Sequence, residues 1–443
     1  MLLQTETSIP IFFAFRLYLF QGFLVKSSMI YFTRNSVGMP SFTKKAERAG
    51  QWVRQSSGKT SYDAFIPAPL PPVPAITVDL ALQRRIESAG LALGRLDGIG
   101  RLLSGPEELL YSYIRKEAVL SSQIEGTQSS IADLLLHENQ SMPGVVLEDV
   151  QEVSNYIGAL SYGIDRLSTL PLSLRLIRES HERLVRGTRG DQKAPGEFRR
   201  SQNWIGGSKP SDAMFVPPPP HELPDILSAF ENFLHSTEYP VLLKVGLVHA
   251  QFETIHPFLD GNGRVGRMLI ALMLVSEGVL ERPWLYVSLH FKKHRDKYYS
   301  LLQDVRTQGN WEEWLVFFLE GITVTANQAT DKIRALMALF ERDRKVVEQS
   351  RKGSIYQSVA VQSNLTVYDY LKKRIAIRIP ETAEVCGTTK PTVKRAIDDL
   401  QMLGIVTEVT GKPRNKVYIY TEYLDILNQD DDTSELSNER SNE

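Results

Sequence analysis

A short polar segment between two apolar stretches holds the residue types of a phosphate-transfer site. The segment contains His256, Asp260, Asn262, Arg264 and Arg267. A histidine can take up a proton near neutral pH, and an aspartate beside a phosphate site is a hard oxygen ligand for Mg²⁺. Two arginines three residues apart on a helix share a face and can hold one anion. The set predicts phosphoryl or nucleotidyl transfer, without indicating which phosphorus is attacked.

The backbone around these side chains suits an anion. The apolar pattern predicts one helix that ends near His256 and a second that begins near Gly263. Gly261 and Gly263 let the chain approach a ligand closely, and the free N–H groups of a helix start favour phosphate. The run Gly261–Gly266 also fits the G-x-G-x-x-G expression of dinucleotide folds, but that fingerprint needs a preceding strand in a βαβ unit, which the pattern does not predict here.

Composition limits the class of protein. A chain of 443 residues predicts two or three packed domains, and its formal net charge of -1 provides no global attraction to nucleic acid or to an anionic membrane. The single cysteine, Cys386, excludes an internal disulfide framework and a cysteine-cluster zinc site. Both features favour a cytoplasmic protein with no membrane partner.

The first 38 residues differ from the rest of the chain. Ile9–Val25 is mostly apolar, but Arg16 near its middle disfavours a membrane span, and the early Glu6 has the wrong sign for a signal peptide. We favour translation from Met39, which makes residues 1–38 a non-native or disordered extension; an N-terminal anchor is the alternative.

The remaining chain predicts a mainly all-α fold with several parts. Helical periodicity covers most of it, except for turn-rich and strand-like residues at 202–220 that indicate a short β-hairpin flap. The last domain alternates short helices with two extended runs, which is typical of an α+β winged helix. The expected boundaries are a proline-rich arm at 39–79, an N-terminal helical domain at 80–170, a helical domain around the polar segment at 171–352, a winged-helix domain at 353–427 and a disordered acidic tail at 428–443.

The sequence HPFLDGNGRVGR matches the motif HPFx[D/E]GNGRxxR of the Fic family at every defined position, and the wider resemblance covers roughly 61–351. The resemblance implies a helical catalytic domain at 171–352 that transfers AMP from ATP to a Ser, Thr or Tyr hydroxyl of a protein, possibly of this chain itself. His256 would be the catalytic base and Asp260 the ligand of Mg²⁺. The residues expected to bind ATP are Gly261, Asn262, Gly263, Arg264, Val265, Gly266 and Arg267.

Individual roles also follow from the resemblance. Asn262 and the loop amides would bind the α-phosphate, while Arg264 and Arg267 would hold the β- and γ-phosphates. Phe258 would pin the loop. Gly263 stands where the phosphorylating branch of the superfamily has lysine, so the chain is similar to the adenylylating branch.

An inhibitory element is expected upstream. Ser121–Gly126 fits the family's [S/T]xxxE[G/N] helix, with Ser121 and Glu125 on one helical face. By resemblance Glu125 would pair with Arg267 and keep the γ-phosphate of ATP out. The flap at 202–220 would dock an extended segment of the target protein.

The predicted winged helix leaves its partner open. Six cations could contact DNA phosphates: Lys390, Lys394, Arg395, Lys412, Arg414 and Lys416. A protein contact, including a homodimer, is equally compatible with the fold. Two other functions remain open beside AMP transfer. One is removal of AMP at the same site, and the other is a DNA-binding regulator whose Fic domain senses nucleotide.

Overall fold

The computed structural model describes residues 48–57, 60–103, 105–139, 147–350 and 355–429. The predictions for residues 1–38, and for the tail beyond residue 429, fall outside these ranges. The helices are α1 Leu80–Arg101, α2 Pro106–Ile124, α3 Ile131–Glu138, α4 Leu147–Arg166, α5 Leu174–Val185, α6 Leu223–Leu234, α7 Val241–Ile255, α8 Asn262–Ser276, α9 Ser288–Lys293, α10 Arg295–Gln308, α11 Trp311–Gln349, α12 Ile355–Arg374, α13 Ile379–Val385, α14 Lys390–Met402 and α15 Thr421–Asn428. The strands are β1 Gly50–Ser57, β2 Thr60–Pro67, β3 Ala376–Ile377, β4 Val406–Glu408 and β5 Tyr418–Tyr420.

The mainly helical fold is confirmed, and local sequence explains where several helices begin. Asp79 accepts a hydrogen bond from Leu82 N–H at 2.8 Å and so caps α1. Ser130 forms a capping box on α3, and Ser173 caps α5. No described helix combines the length and the apolar character needed to span a membrane.

Helices α7 and α8 form the centre of the molecule. Every residue of α7 from Leu242 to Ile255 is buried, as is most of α8. A helix that is buried on all sides lies in the core. The loop between these two helices therefore rests on a rigid support.

Two segments differ from expectation. Within the predicted proline-rich arm, β1 and β2 form an antiparallel hairpin in which Trp52 pairs with Phe65. The buried Phe65 gives this hairpin an apolar anchor. By contrast, the predicted flap hairpin at 202–220 is reduced to one bridge between Ile205 and Phe215, since the prolines that follow at 217–220 have no N–H to continue a ladder.

The C-terminal module, residues 355–429, contains α12 to α15 and a three-stranded sheet of order β3-β5-β4. Its order of elements is compatible with a winged helix, which stays a prediction. The module packs against α2: the hydroxyls of Ser112 and Tyr423 lie 2.7 Å apart, and Lys116 Nζ donates to the carbonyl of Leu427.

Candidate active site

His256 ends α7 in a left-handed conformation, with φ 49°. Its N–H donates to the carbonyl of Phe252 at 2.9 Å. Nδ1 lies 3.4 Å from the carbonyl of Glu253, which can only accept, so this contact favours the tautomer with the proton on Nδ1. Nε2 is then the nitrogen that can accept a proton.

The electrostatic setting of His256 differs from the expectation of a pKa near neutrality. Burial, helped by the nearby guanidinium groups of Arg306 and Arg199, lowers the pKa of His256 to about 3. The imidazole is therefore neutral over the whole physiological pH range. It has an accepting nitrogen at all times but holds a proton weakly.

The side chain of Asn262 closes the loop after His256. Its Oδ1 accepts from Phe258 N–H at 2.8 Å, and its Nδ2 donates to Phe258 O at 2.9 Å. The ring of Phe258 is fully buried and stacks on His181 at 3.7 Å. His181 Nε2 also lies 3.0 Å from the carbonyl of Asp260. Both polar atoms of the Asn262 side-chain amide thus shape the loop.

Glycines form a cradle at the start of α8. Gly261 adopts φ 74° as the N-cap residue, and no side chain caps the helix. A Cβ placed on Gly263 would lie 2.2 Å from Oε1 of Glu125, so this space already holds a carboxylate. Val265 N–H is taken by Gly261 O at 3.0 Å, and Gly266 faces Glu253 rather than the cradle. The backbone N–H groups that remain available to bind a ligand therefore belong to residues 261–264.

Arg264 is held on both sides by carboxylates. Its Nη1 donates to Glu152 at 2.9 Å, and its Nη2 lies 3.3 Å from Asp260. Glu152 also pairs with Arg189 at 2.9 Å. Glu152 comes from α4, and no sequence signal marked it as a partner of the motif.

Asp260 is the candidate Mg²⁺ ligand. Its side chain is 27% exposed beside the cradle. Among the described residues, no group of three or more acidic, histidine or cysteine side chains could hold a metal. A single carboxylate is compatible with Mg²⁺ because this ion often takes its other ligands from water and substrate phosphates.

Arg267 contacts α2, as the sequence predicts. Its Nη2 donates to Glu125 Oε1 at 2.6 Å and to Ser121 O at 3.0 Å, and its Nε donates to Ser121 Oγ at 2.9 Å. Burial alone would raise the pKa of Glu125, but the Arg267 guanidinium outweighs it and holds the pKa below its usual value. The pair is ionised near neutral pH.

A second carboxyl group, which the sequence analysis did not identify, lies behind the cradle. Glu253 is 5% exposed, and its Oε1 has no hydrogen-bond partner. Burial raises the pKa of Glu253 to about 7, although Arg267 acts in the opposite direction. The sequence signal that could have identified Glu253 is its position three residues before His256.

Comparison with known proteins agrees with this geometry. Residues 83–165 match the Fic/DOC family N-terminal domain, and residues 171–274 match the Fic/DOC family domain. The chain therefore carries a Fic N-terminal domain followed by a Fic domain.

Individual relatives extend the likeness. A probable protein adenylyltransferase of Aquifex aeolicus is 28% identical over 316 residues, which cover 71% of this chain and 80% of that protein. The protein adenylyltransferase Fic of Aedes aegypti is 31% identical over 205 residues, 44% of this chain and 38% of that protein. The chain thus spans well under half of the insect relative. A Fic family protein from Desulfovibrio desulfuricans G20 aligns with 78% of this chain and 97% of its own at 18% identity and a TM-score of 0.49.

Proposed function

We propose that the chain is a protein adenylyltransferase that moves AMP from ATP to a hydroxyl group of a protein. The observation that carries this proposal is the folded motif itself, in which His256, the glycine cradle and Arg267 meet at one loop. The names of the relatives from Aquifex aeolicus and Aedes aegypti support this choice among phosphate chemistries.

The residues divide the reaction between them. His256 Nε2 accepts the proton of the target's Ser, Thr or Tyr hydroxyl, whose oxygen forms a bond to the α-phosphorus while the bond to pyrophosphate breaks. The N–H groups at 261–264 stabilise the negative charge on the phosphate oxygens. Asp260 would hold Mg²⁺, which neutralises phosphate charge when it is bound.

The inhibited state is part of the proposal. Glu125 occupies the space over Gly263 and takes the Nη2 donor of Arg267. A triphosphate that approaches Gly263 is repelled by this carboxylate and cannot form a bidentate contact with Arg267. The site is therefore built but closed, and withdrawal of Glu125 opens it.

Label transfer tests the reaction. Purified Glu125→Gly protein is incubated with Mg²⁺ and ATP labelled at the α- or the γ-phosphate, alone and with a cell lysate. We expect protein labelling from the α-label, little from the wild-type chain, and none from Glu125→Gly/His256→Ala. Labelling from the γ-phosphate alone would indicate phosphorylation and contradict the proposal.

A further inference from the structure

Two buried arginines hold the end of α7 that carries His256. Arg199 is 2% exposed and Arg306 is 7% exposed. Neither forms an ion pair with a carboxylate in the described part of the chain, although buried guanidinium groups usually have such a partner. Their donors go instead to the carboxyl end of α7, where the last carbonyl groups have no partner inside the helix.

Arg199 connects this helix end to the flap, which we define as residues 202–220. Its Nε donates to the carbonyl of His256 at 2.9 Å, and its Nη2 donates to the carbonyl of Pro218 at 2.6 Å. Asn203, at the other end of the flap, also donates to the His256 carbonyl, at 3.2 Å. The backbone of the base is therefore tied to both limbs of the flap.

Arg306 makes a second connection from α10. Its Nη2 donates to Glu253 O at 3.0 Å and its Nε to Thr254 Oγ1 at 3.3 Å, one turn before the base. The guanidinium carbon of Arg306 lies 4.2 Å from the centre of the Phe215 ring in the flap. Both groups are buried, so this cation–π contact is shielded from water and stabilises the position of the flap.

The N-terminal hairpin supports Phe215 from behind. Phe65 of β2 packs on Phe215 with ring centres 5.9 Å apart, and its N–H donates to Val216 O at 2.9 Å. Contacts thus run without a gap from the hairpin through the flap and Arg306 to the end of α7. The hairpin lies outside the segments that match the Fic domains.

We propose that Arg199 and Arg306 are positioning residues that join the flap to His256, so that the flap and the catalytic base form one mechanical unit. The inference rests on the proposed role of His256. A target segment that docks on the flap then acts directly on the helix end that presents the base. The two cations add to the effect of burial in keeping the imidazole neutral, since imidazolium would stand beside both of them.

The test follows the titration of His256 by nuclear magnetic resonance, with the signal assigned from the loss in His256→Ala. The charged groups that face this ring are Arg306 from α10, Arg199 from the segment before the flap, and Glu125 from the end of α2. Removal of one cation makes imidazolium easier to form, so Arg306→Gln should raise the pKa of His256. Arg306→Lys keeps the charge and should stay close to the wild type.

Hydrogen exchange of the flap amides supplies the mechanical readout. Arg306→Gln and Phe215→Leu should each speed exchange at 205–216 by about tenfold, the loss expected for one cation–π contact. Lys297→Gln is the matched control, because it removes an exposed cation from the same helix with no flap contact. Unchanged His256 titration and flap exchange in Arg306→Gln, or equal changes in Lys297→Gln, would overturn the inference. Neither readout needs AMP transfer, so failure of the proposed function would show separately.

Discussion

Glu125→Gln keeps the length of the side chain that meets Arg267 but removes its charge, so we expect it to tighten ATP binding. The wild-type contact joins Arg267 Nη2 and Glu125 Oε1 at 2.6 Å, and the Glu125 side chain is 32% exposed. A hydrogen bond between charged groups contributes about 1.5–3 kcal/mol, and this exposure places the pair at the lower end. A loss of about 1.5 kcal/mol from the competing contact corresponds to about tenfold tighter binding of ATP.

Calorimetric titration of ATP measures this effect, in a His256→Ala background that prevents turnover. Ser121→Ala is the matched control, since it removes the hydroxyl bonded to Arg267 Nε but leaves the carboxylate and the Ser121 carbonyl in place. We expect a smaller change for this control, because the hydroxyl bonded to the Arg267 cation carries no charge and does not repel a triphosphate. An unchanged ATP affinity in Glu125→Gln, or equal tightening in Ser121→Ala, would refute the role given to the carboxylate.

Three further outcomes follow from the contacts. Asn262→Ala removes both bonds to the Phe258 backbone, so we expect about 1–3 kcal/mol lower stability to chemical denaturation, and an unchanged stability would contradict the role of this amide. Burial raises the pKa of Glu117 to about 7, so the folded state binds the proton more tightly than the unfolded state, and stability falls as pH rises from about 4.5 to about 7. Glu117→Gln should flatten that slope in denaturation curves at pH 5 and pH 7; an unchanged slope would contradict the assignment. Tyr423→Phe removes the hydroxyl next to Ser112 of α2, so hydrogen exchange at 121–126 should accelerate, whereas unchanged exchange would show that the C-terminal module does not hold this helix.

The sequence predicts the geometry of the loop at 256–267 well because its signals are local. A histidine, two glycines and two arginines at fixed spacing between apolar helices leave few alternative geometries, and the pair of Glu125 with Arg267 is present as expected. Phe258 is also the buried pin that the sequence predicts.

Long-range partners were missed for a physical reason. Glu152 meets Arg264 only because α4 packs beside α8, and spacing along the chain carries no trace of that approach. Arg199 and Arg306 likewise depend on tertiary packing. The hairpin of β1 and β2 had only a weak signal, because β2 is rich in β-formers but β1 holds only Trp52 and Val53, and prolines follow.

Peptide mass spectrometry of the Glu125→Gly chain, after incubation with ATP and Mg²⁺ in a lysate, tests the central claim most directly. We predict an AMP adduct on a Ser, Thr or Tyr side chain of this chain or of a lysate protein, and its absence with Glu125→Gly/His256→Ala. A phosphate adduct in place of AMP, or an AMP adduct that persists without His256, would contradict the account.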